Sequence, residues 1–415
     1  MNTYSLVIIA ALVLSAVWGL LLEWLNLKSL APEAPPELAD VYDPQSYRRS
    51  QDYARARGAW DMASQATGAL ATLGFILAGG FPLFDRLARF GGNEIVTGLA
   101  FFALLFCASE LLGLPFSIYR TFVLEARFGF NTTTPRTFIL DRVKGYLLTG
   151  LLGLPLLSAT LWFFSAMGPW AWAWCWAATT IFSVAMTFLA PSLIMPLFNT
   201  FTPLADDGLL RRLQALAERT GFGLGGVFVM DGSRRSTKAN AFFTGLGRTK
   251  RIALYDTLLA GHDADEVEAI LAHEIGHFRL GHITRGLVLS ILQTGLLLFL
   301  MGQAMTRPGL YEAFGMESMS VHAGLVFSVL LYSPASLALT PLFAGISRRH
   351  EFAADRFAAA HLPSPEPLVR ALKKISGQSL ANLTPHPCYV LFHYSHPPLA
   401  QRVAALNAAG LSPSG

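Results

Sequence analysis

A chain of 415 residues that is 53% hydrophobic and only 14% charged is too apolar to be a pair of soluble domains, which carry about 25% charged residues. Its mean hydropathy of +0.44 sets much of its surface against lipid, and a net charge of +4 is accounted for by membrane topology, which removes the case for nucleic-acid binding. Three cysteines, Cys107, Cys175 and Cys388, form no CxxC pair; they exclude a disulfide framework or a cysteine metal site and read as buried apolar thiols.

Apolar runs near twenty residues, the length at which a helix crosses the hydrocarbon core, occur seven times: about 4–26, 65–84, 95–115, 145–167, 170–190, 286–305 and 322–344. The first lacks a basic leader and a small-residue cleavage site, so it reads as an uncleaved anchor. The second is the weakest, broken by Ser64, Gln65 and several glycines; as a re-entrant element it would reverse everything after it. With all seven spanning, 28 of the 31 Lys and Arg fall on one side and only Arg86, Arg89 and Arg307 on the other. The positive-inside rule then puts the N-terminus outside and the C-terminus in the cytoplasm.

The expected organisation is a membrane region at 1–202 with spans one to five, a cytoplasmic part of a protease domain at 203–285, spans six and seven at 286–345, and a cytoplasmic remainder at 346–415. In the first polar stretch, 225–230 reads as a strand, and 240–244 with 251–255 as a strand pair turned at 245–247. Asp263 and Glu266 have the spacing of a capping box. It opens a helix with Val267, Ile270 and Leu271 on its apolar face. Residues 411–415 read as a frayed tail.

That helix carries His273-Glu274-Ile275-Gly276-His277. Side chains four apart share a helical face, so both imidazoles can meet one ion, and Glu274 can act as general base on a water beside it. Catalytic zinc takes three protein ligands at about 2.0–2.1 Å and keeps a position open. Gly276 costs helix stability, which points to close approach of another backbone or is incidental. His282, five residues beyond His277, falls on a different face and reads as a satisfied histidine, as do His262 and His322. No third histidine stands at a short spacing. The candidate third ligand is Glu351, with Asp355 one turn on able to accept the free ring N–H of a ligand histidine. Spacing alone leaves open a salt-bridged pair with Arg348 or Arg349.

Taken together, the His273–His277 motif, Glu351-Phe-Ala-Ala-Asp355 and seven spans resemble the CAAX prenyl protease 1 family of membrane zinc metallopeptidases. Phe128-Gly-Phe-Asn131, Pro191-Ser-Leu-Ile-Met-Pro-Leu-Phe-Asn199, Asn240-Ala-Phe-Phe-Thr-Gly245 and Ser395-His-Pro-Pro-Leu399 followed by Arg402 carry the likeness from about Tyr47 to Arg402. The resemblance implies a multi-span α-helical membrane fold with a gluzincin-type α+β protease domain, and one Zn2+ on His273, His277 and Glu351 with Glu274 as base. It also implies that His396 and Arg402 hold the substrate carbonyl and its oxyanion, and that Asn240, Ala241 and Phe242 align an extended peptide by strand addition.

The expected substrate is a peptide or protein, prenylated or not, met at the bilayer; no oligomeric state follows. The Ala, Gly and Arg-rich composition suits a bacterial inner membrane, where quality control of membrane proteins replaces CAAX processing; a eukaryotic counterpart would sit in the ER membrane. An HtpX-type protease is the rival within proteases, although residues 1–200 argue against it. A zinc-regulated transporter or channel is the rival outside them, with Glu110 as its ionisable residue at membrane depth.

Overall fold

The computed structural model describes residues 2–90, 92–244 and 250–410; the expected 245–247 turn and the 411–415 tail lie outside them. Among the described residues, five helices are long and apolar enough to cross a bilayer: Thr3–Lys28, Glu94–Glu125, Pro135–Ala166, Gly168–Phe198 and His282–Ala304. Two bent pairs bring the number to seven if each is one span. Pro44–Leu77 meets Gly80–Ala88 at 70°, and the turn between them uses Gly79 at φ +71°, a left-handed conformation that glycine adopts without a Cβ penalty. The weak second segment is therefore an angled element, not a straight rod. Val321–Pro334 meets Ser336–His361 at 60°. Pro334 sits at that break, where its ring and missing N–H disrupt the helical ladder.

This last element runs 41 residues from Val321 to His361, about 60 Å of contour at 1.5 Å per residue, roughly twice the hydrocarbon thickness. Its second half leaves the apolar run and enters the polar part of the molecule. The helix passes uninterrupted through residue 345, where hydropathy had put a division.

The polar part holds one four-stranded sheet: β1 (Phe201–Pro203), β2 (Leu224–Met230), β3 (Ala241–Thr244) and β4 (Lys250–Tyr255), in the order β1-β2-β4-β3. β2 and β4 are parallel, while β3 runs antiparallel to β4 and has an outer edge that pairs with no strand among the described residues. β1 is new relative to the sequence expectation: three residues ending in proline have no readable alternation. Leu213, Leu216, Ile252, Leu254, Leu271 and Ile275 fill the core between the sheet and the helices Asp207–Arg219 and Ala264–Arg279.

This core continues into the N-terminal region through Tyr53, Leu124, Phe128 and Phe130. Arg235 ties the two further, donating to both Asp141 carboxylate oxygens at 2.8 and 3.0 Å and to Asn199 Oδ1 at 2.8 Å. Such bidentate charged pairs are the stronger class of hydrogen bond. Glu110 accepts from Arg142 Nη1 at 2.6 Å and from the Tyr146 hydroxyl at 2.5 Å, so this carboxylate is already balanced by a cation. The cysteines are free; Cys175 is buried as expected, but Cys107 and Cys388 are exposed.

Candidate metal centre

The helix Ala264–Arg279 starts on the expected capping box: Glu266 N–H donates to Asp263 Oδ1 at 2.9 Å, and Asp263 N–H to Glu266 Oε2 at 3.2 Å. Val267, Leu271 and Ile275 are buried, which locks the helix in rotation and aims its other side at the Val321–His361 helix. The two backbones come close at Gly276. A Cβ there would lie 3.1 Å from Ala354 Cα and 3.2 Å from its carbonyl oxygen, so close backbone approach is the reason for the glycine. Ala354 stands between Glu351 and Asp355, and both carboxylates thereby reach the histidines.

His273 Nε2 and His277 Nε2 are 3.1 Å apart, with Glu351 Oε1 3.2 Å from the second and Oε2 3.5 Å from the first. These three residues form a group able to hold an ion. Donors about 2.0–2.1 Å from a tetrahedral ion lie about 3.4 Å from one another, so the spacing fits a metal. Glu351 is buried, and its Oε2 has no hydrogen-bond partner among the described residues. An orphaned buried carboxylate oxygen is costly, and a cation among these donors would satisfy it.

Asp355 Oδ1 lies 2.8 Å from His273 Nδ1, the contact that leaves Nε2 as the free donor. Burial alone would depress the His273 pKa, but hydrogen bonds to the Asp355 and Glu351 carboxylates outweigh it and raise it to about 9 before an ion is bound. Arg402 completes the layer behind. Its Nε and Nη2 donate to the two Asp355 oxygens at 2.8 and 2.6 Å, and Nη1 is 3.5 Å from Glu351 Oε2. Two of its three guanidinium nitrogens are thus engaged by Asp355, and the third faces Glu351. His396 is exposed, with Nε2 3.4 Å from Glu351 Oε1. Arg348 donates to the carbonyls of Val390 and Tyr394 at 3.0 and 2.8 Å, so its guanidinium serves the end of the helix Pro387–His393 instead of the carboxylate pair.

One reading needs correcting. His282 Nδ1 is 3.1 Å from His277 Nδ1, and its ring stacks on His350 at 4.0 Å. Counting five residues along one helix put it on another face, but the helix ends at Arg279, Gly281 takes φ +70°, and His282 opens the next. The glycine four residues after His277 was the available signal.

Glu274 points into a cavity of about 360 Å³ shared with His273, Glu351, His396, Arg402, Asn240 and Ala241. Burial pushes its carboxyl above the usual range, partly offset by the neighbouring histidines. Leu258, Ile270, Leu368 and Leu372 line the same cavity. Phe242 is turned away from it, its ring edge-on to Tyr255 at 6.2 Å. Tyr255 N–H donates to Asn240 C=O at 3.0 Å. By antiparallel alternation, Asn240 and Phe242 then bond to β4, and Ala241 and Phe243 present their main-chain groups to the outer edge. On this register the main chain of Phe243, not that of Phe242, faces the outer edge. Ala241 N–H donates to Asn240 Oδ1 at 2.9 Å.

Residues 23–200 match the family described as CAAX prenyl protease N-terminal, five membrane helices, and residues 203–409 match peptidase family M48. The CAAX prenyl protease 1 homolog of Arabidopsis thaliana is 34% identical over 403 residues, covering 92% of this chain and 93% of that protein. CAAX prenyl protease 1 of Saccharomyces cerevisiae is 35% identical over 400 residues, covering 90% and 88% respectively. The crystal structure of S. mikatae Ste24p is similar with a TM-score of 0.91 at 32% identity, over 98% of this chain and 99% of that one.

Proposed function

This chain belongs to peptidase family M48, as a multi-span membrane metalloendopeptidase, and on that premise we propose that its metal is zinc and its ligands are His273, His277 and Glu351. The observation that carries this reading is the convergence of three donors at 3.1–3.5 Å from two helices, with Glu351 Oε2 buried and accepting no hydrogen bond among the described residues. Bound there, zinc supplies Lewis-acid polarisation of the scissile carbonyl and acidification of water.

The remaining roles fall to the chain. Glu274, kept basic by burial, takes a proton from the attacking water and delivers it to the leaving amine. His396, the exposed imidazole beside the ligands, donates to the oxyanion. Arg402 holds Asp355, and Asp355 holds His273, so Arg402 is a positioning residue. The peptide adds to the outer edge of β3 through Ala241 and Phe243, displacing the Asn240 side chain from Ala241 N–H. The apolar part of the cavity, from Leu258 to Leu372, suits an aliphatic side chain beside the cut.

With 28 of 31 basic residues on the site's side of the predicted spans, the site faces the cytoplasm. The substrates are peptides or proteins processed near their C-termini at the membrane, and relatives named as CAAX prenyl proteases make prenylated ones the first to test. Zinc-loaded enzyme is offered a farnesylated CAAX peptide and its unmodified counterpart. Preferential cleavage of the first supports lipid recognition. Equal cleavage assigns the enzyme to unmodified membrane-associated chains, and chelator-insensitive cleavage, or none of either peptide, overturns the proposal.

A further inference from the structure

A second cavity, about 430 Å³, adjoins the first and shares Ala381, Asn382 and Tyr394 with it as a common wall. Its other walls come from the inner end of the first helix, at Glu23, from Arg57 and Asp61 on the Pro44–Leu77 helix, and from Lys238. We propose that this cavity is the terminal subsite for the peptide, in which Arg57 receives the free α-carboxylate of the substrate's C-terminus. The inference rests on the peptidase reading above.

Strand polarity is the first argument. Asn240 and Ala241 line the cavity that holds His273 and Glu274, whereas Lys238 lines the second one, so the second cavity lies off the N-terminal end of β3. Antiparallel pairing is the more stable mode per residue. A peptide added that way points its C-terminal end toward Lys238.

Charge is the second argument. The Lys238 ammonium is already engaged, 3.0 Å from Glu125 Oε2 and 3.1 Å from the Tyr53 hydroxyl, and Glu23 accepts the Tyr389 O–H at 2.8 Å. Arg57 differs. Its nearest carboxylate oxygen, on Asp61, is 3.6 Å from Nε, half of its side chain is open, and it makes no hydrogen bond among the described residues. A guanidinium offers five N–H groups in a planar fork that matches a carboxylate bidentately. Asp61 steadies this fork without occupying it, and a terminal carboxylate supplies the missing acceptor.

The test uses the full-length zinc-loaded enzyme and two peptides identical except for a free acid or an amide at the C-terminus. The acid should be favoured between about tenfold and a hundredfold in kcat/KM, chiefly through KM, as expected for loss of a charged hydrogen-bonded contact. In Arg57→Gln the acid-to-amide ratio should fall toward one, with Arg57→Lys between the two, since it keeps the charge and loses the fork. Zinc content measured alongside reports whether each variant is folded. Equal cleavage of acid and amide by the wild type overturns the subsite and leaves the peptidase reading intact, and so does a wild-type ratio in Arg57→Gln. Absence of cleavage of both peptides overturns the peptidase reading and this inference with it.

Discussion

Replacing Gly276 by alanine sets two effects of similar size against each other. Alanine is the better helix former by about 1 kcal/mol, so in an isolated helix the change would stabilise. In this protein the new methyl would lie 3.1 Å from Ala354 Cα, 3.2 Å from Ala354 O and 3.2 Å from Phe357 Cβ. Two of these are backbone atoms, which cannot rotate aside, so the helices must separate by a few tenths of an ångström. Overpacking of that kind costs about 1–3 kcal/mol, and the net should be a loss of up to about 2 kcal/mol. Glu351 and Asp355 flank Ala354 on the displaced helix, while His273 and His277 stay on the other. Metal sites tolerate roughly ±0.2 Å in ligand distance, so zinc affinity should fall by about tenfold or more. Thermal unfolding in detergent with and without zinc, together with chelator competition, reads both effects. A Gly276→Ala protein that melts higher and holds zinc as the wild type does would refute the claim that this close approach sets the ligand geometry.

Three further outcomes follow from the site. Asp355→Ala removes the acceptor at His273 Nδ1 and leaves Arg402 buried beside Glu351 without its main partner; zinc affinity measured by competition should drop about 10–100-fold. Because His273 is held protonated up to about pH 9 before the ion binds, zinc must displace that proton. Affinity should therefore rise about tenfold per pH unit from pH 6 to 8 and level off near 9, and a titration flat across pH 6 to 8 would contradict the assignment. His282→Ala takes away the contact at His277 Nδ1 and should weaken zinc by about tenfold, measured the same way.

How much of this was visible beforehand depended on how local each feature is. The capping box, the His273–His277 pair and the strands β2, β3 and β4 are set by neighbours within a few residues, and all were readable. The spans were readable as apolar runs, but not the 70° and 60° bends, because hydropathy carries length and not direction. Glu351 is brought to the histidines by packing at Gly276 and Ala354. Spacing left its role open, and only resemblance to a family singled it out. His282 is a buried, partnered histidine as expected, but its partner is His277, because Gly281 redirects the chain within one residue. Arg402 was singled out only by resemblance, and its partner was not foreseen: the bond to Asp355 joins residues 47 positions apart, beyond any periodic pattern. Arg57 drew no notice, since nothing in its own stretch shows that Lys238 and Tyr394 close a cavity around it.

The central claim is that a buried carboxylate beside three metal-holding groups performs the proton transfer. Glu274→Gln keeps the shape of that side chain and removes its basicity. The variant should bind zinc in the wild-type stoichiometry while peptide turnover falls by about 10²–10⁴-fold. Turnover within a few-fold of the wild type at full zinc occupancy would contradict the account.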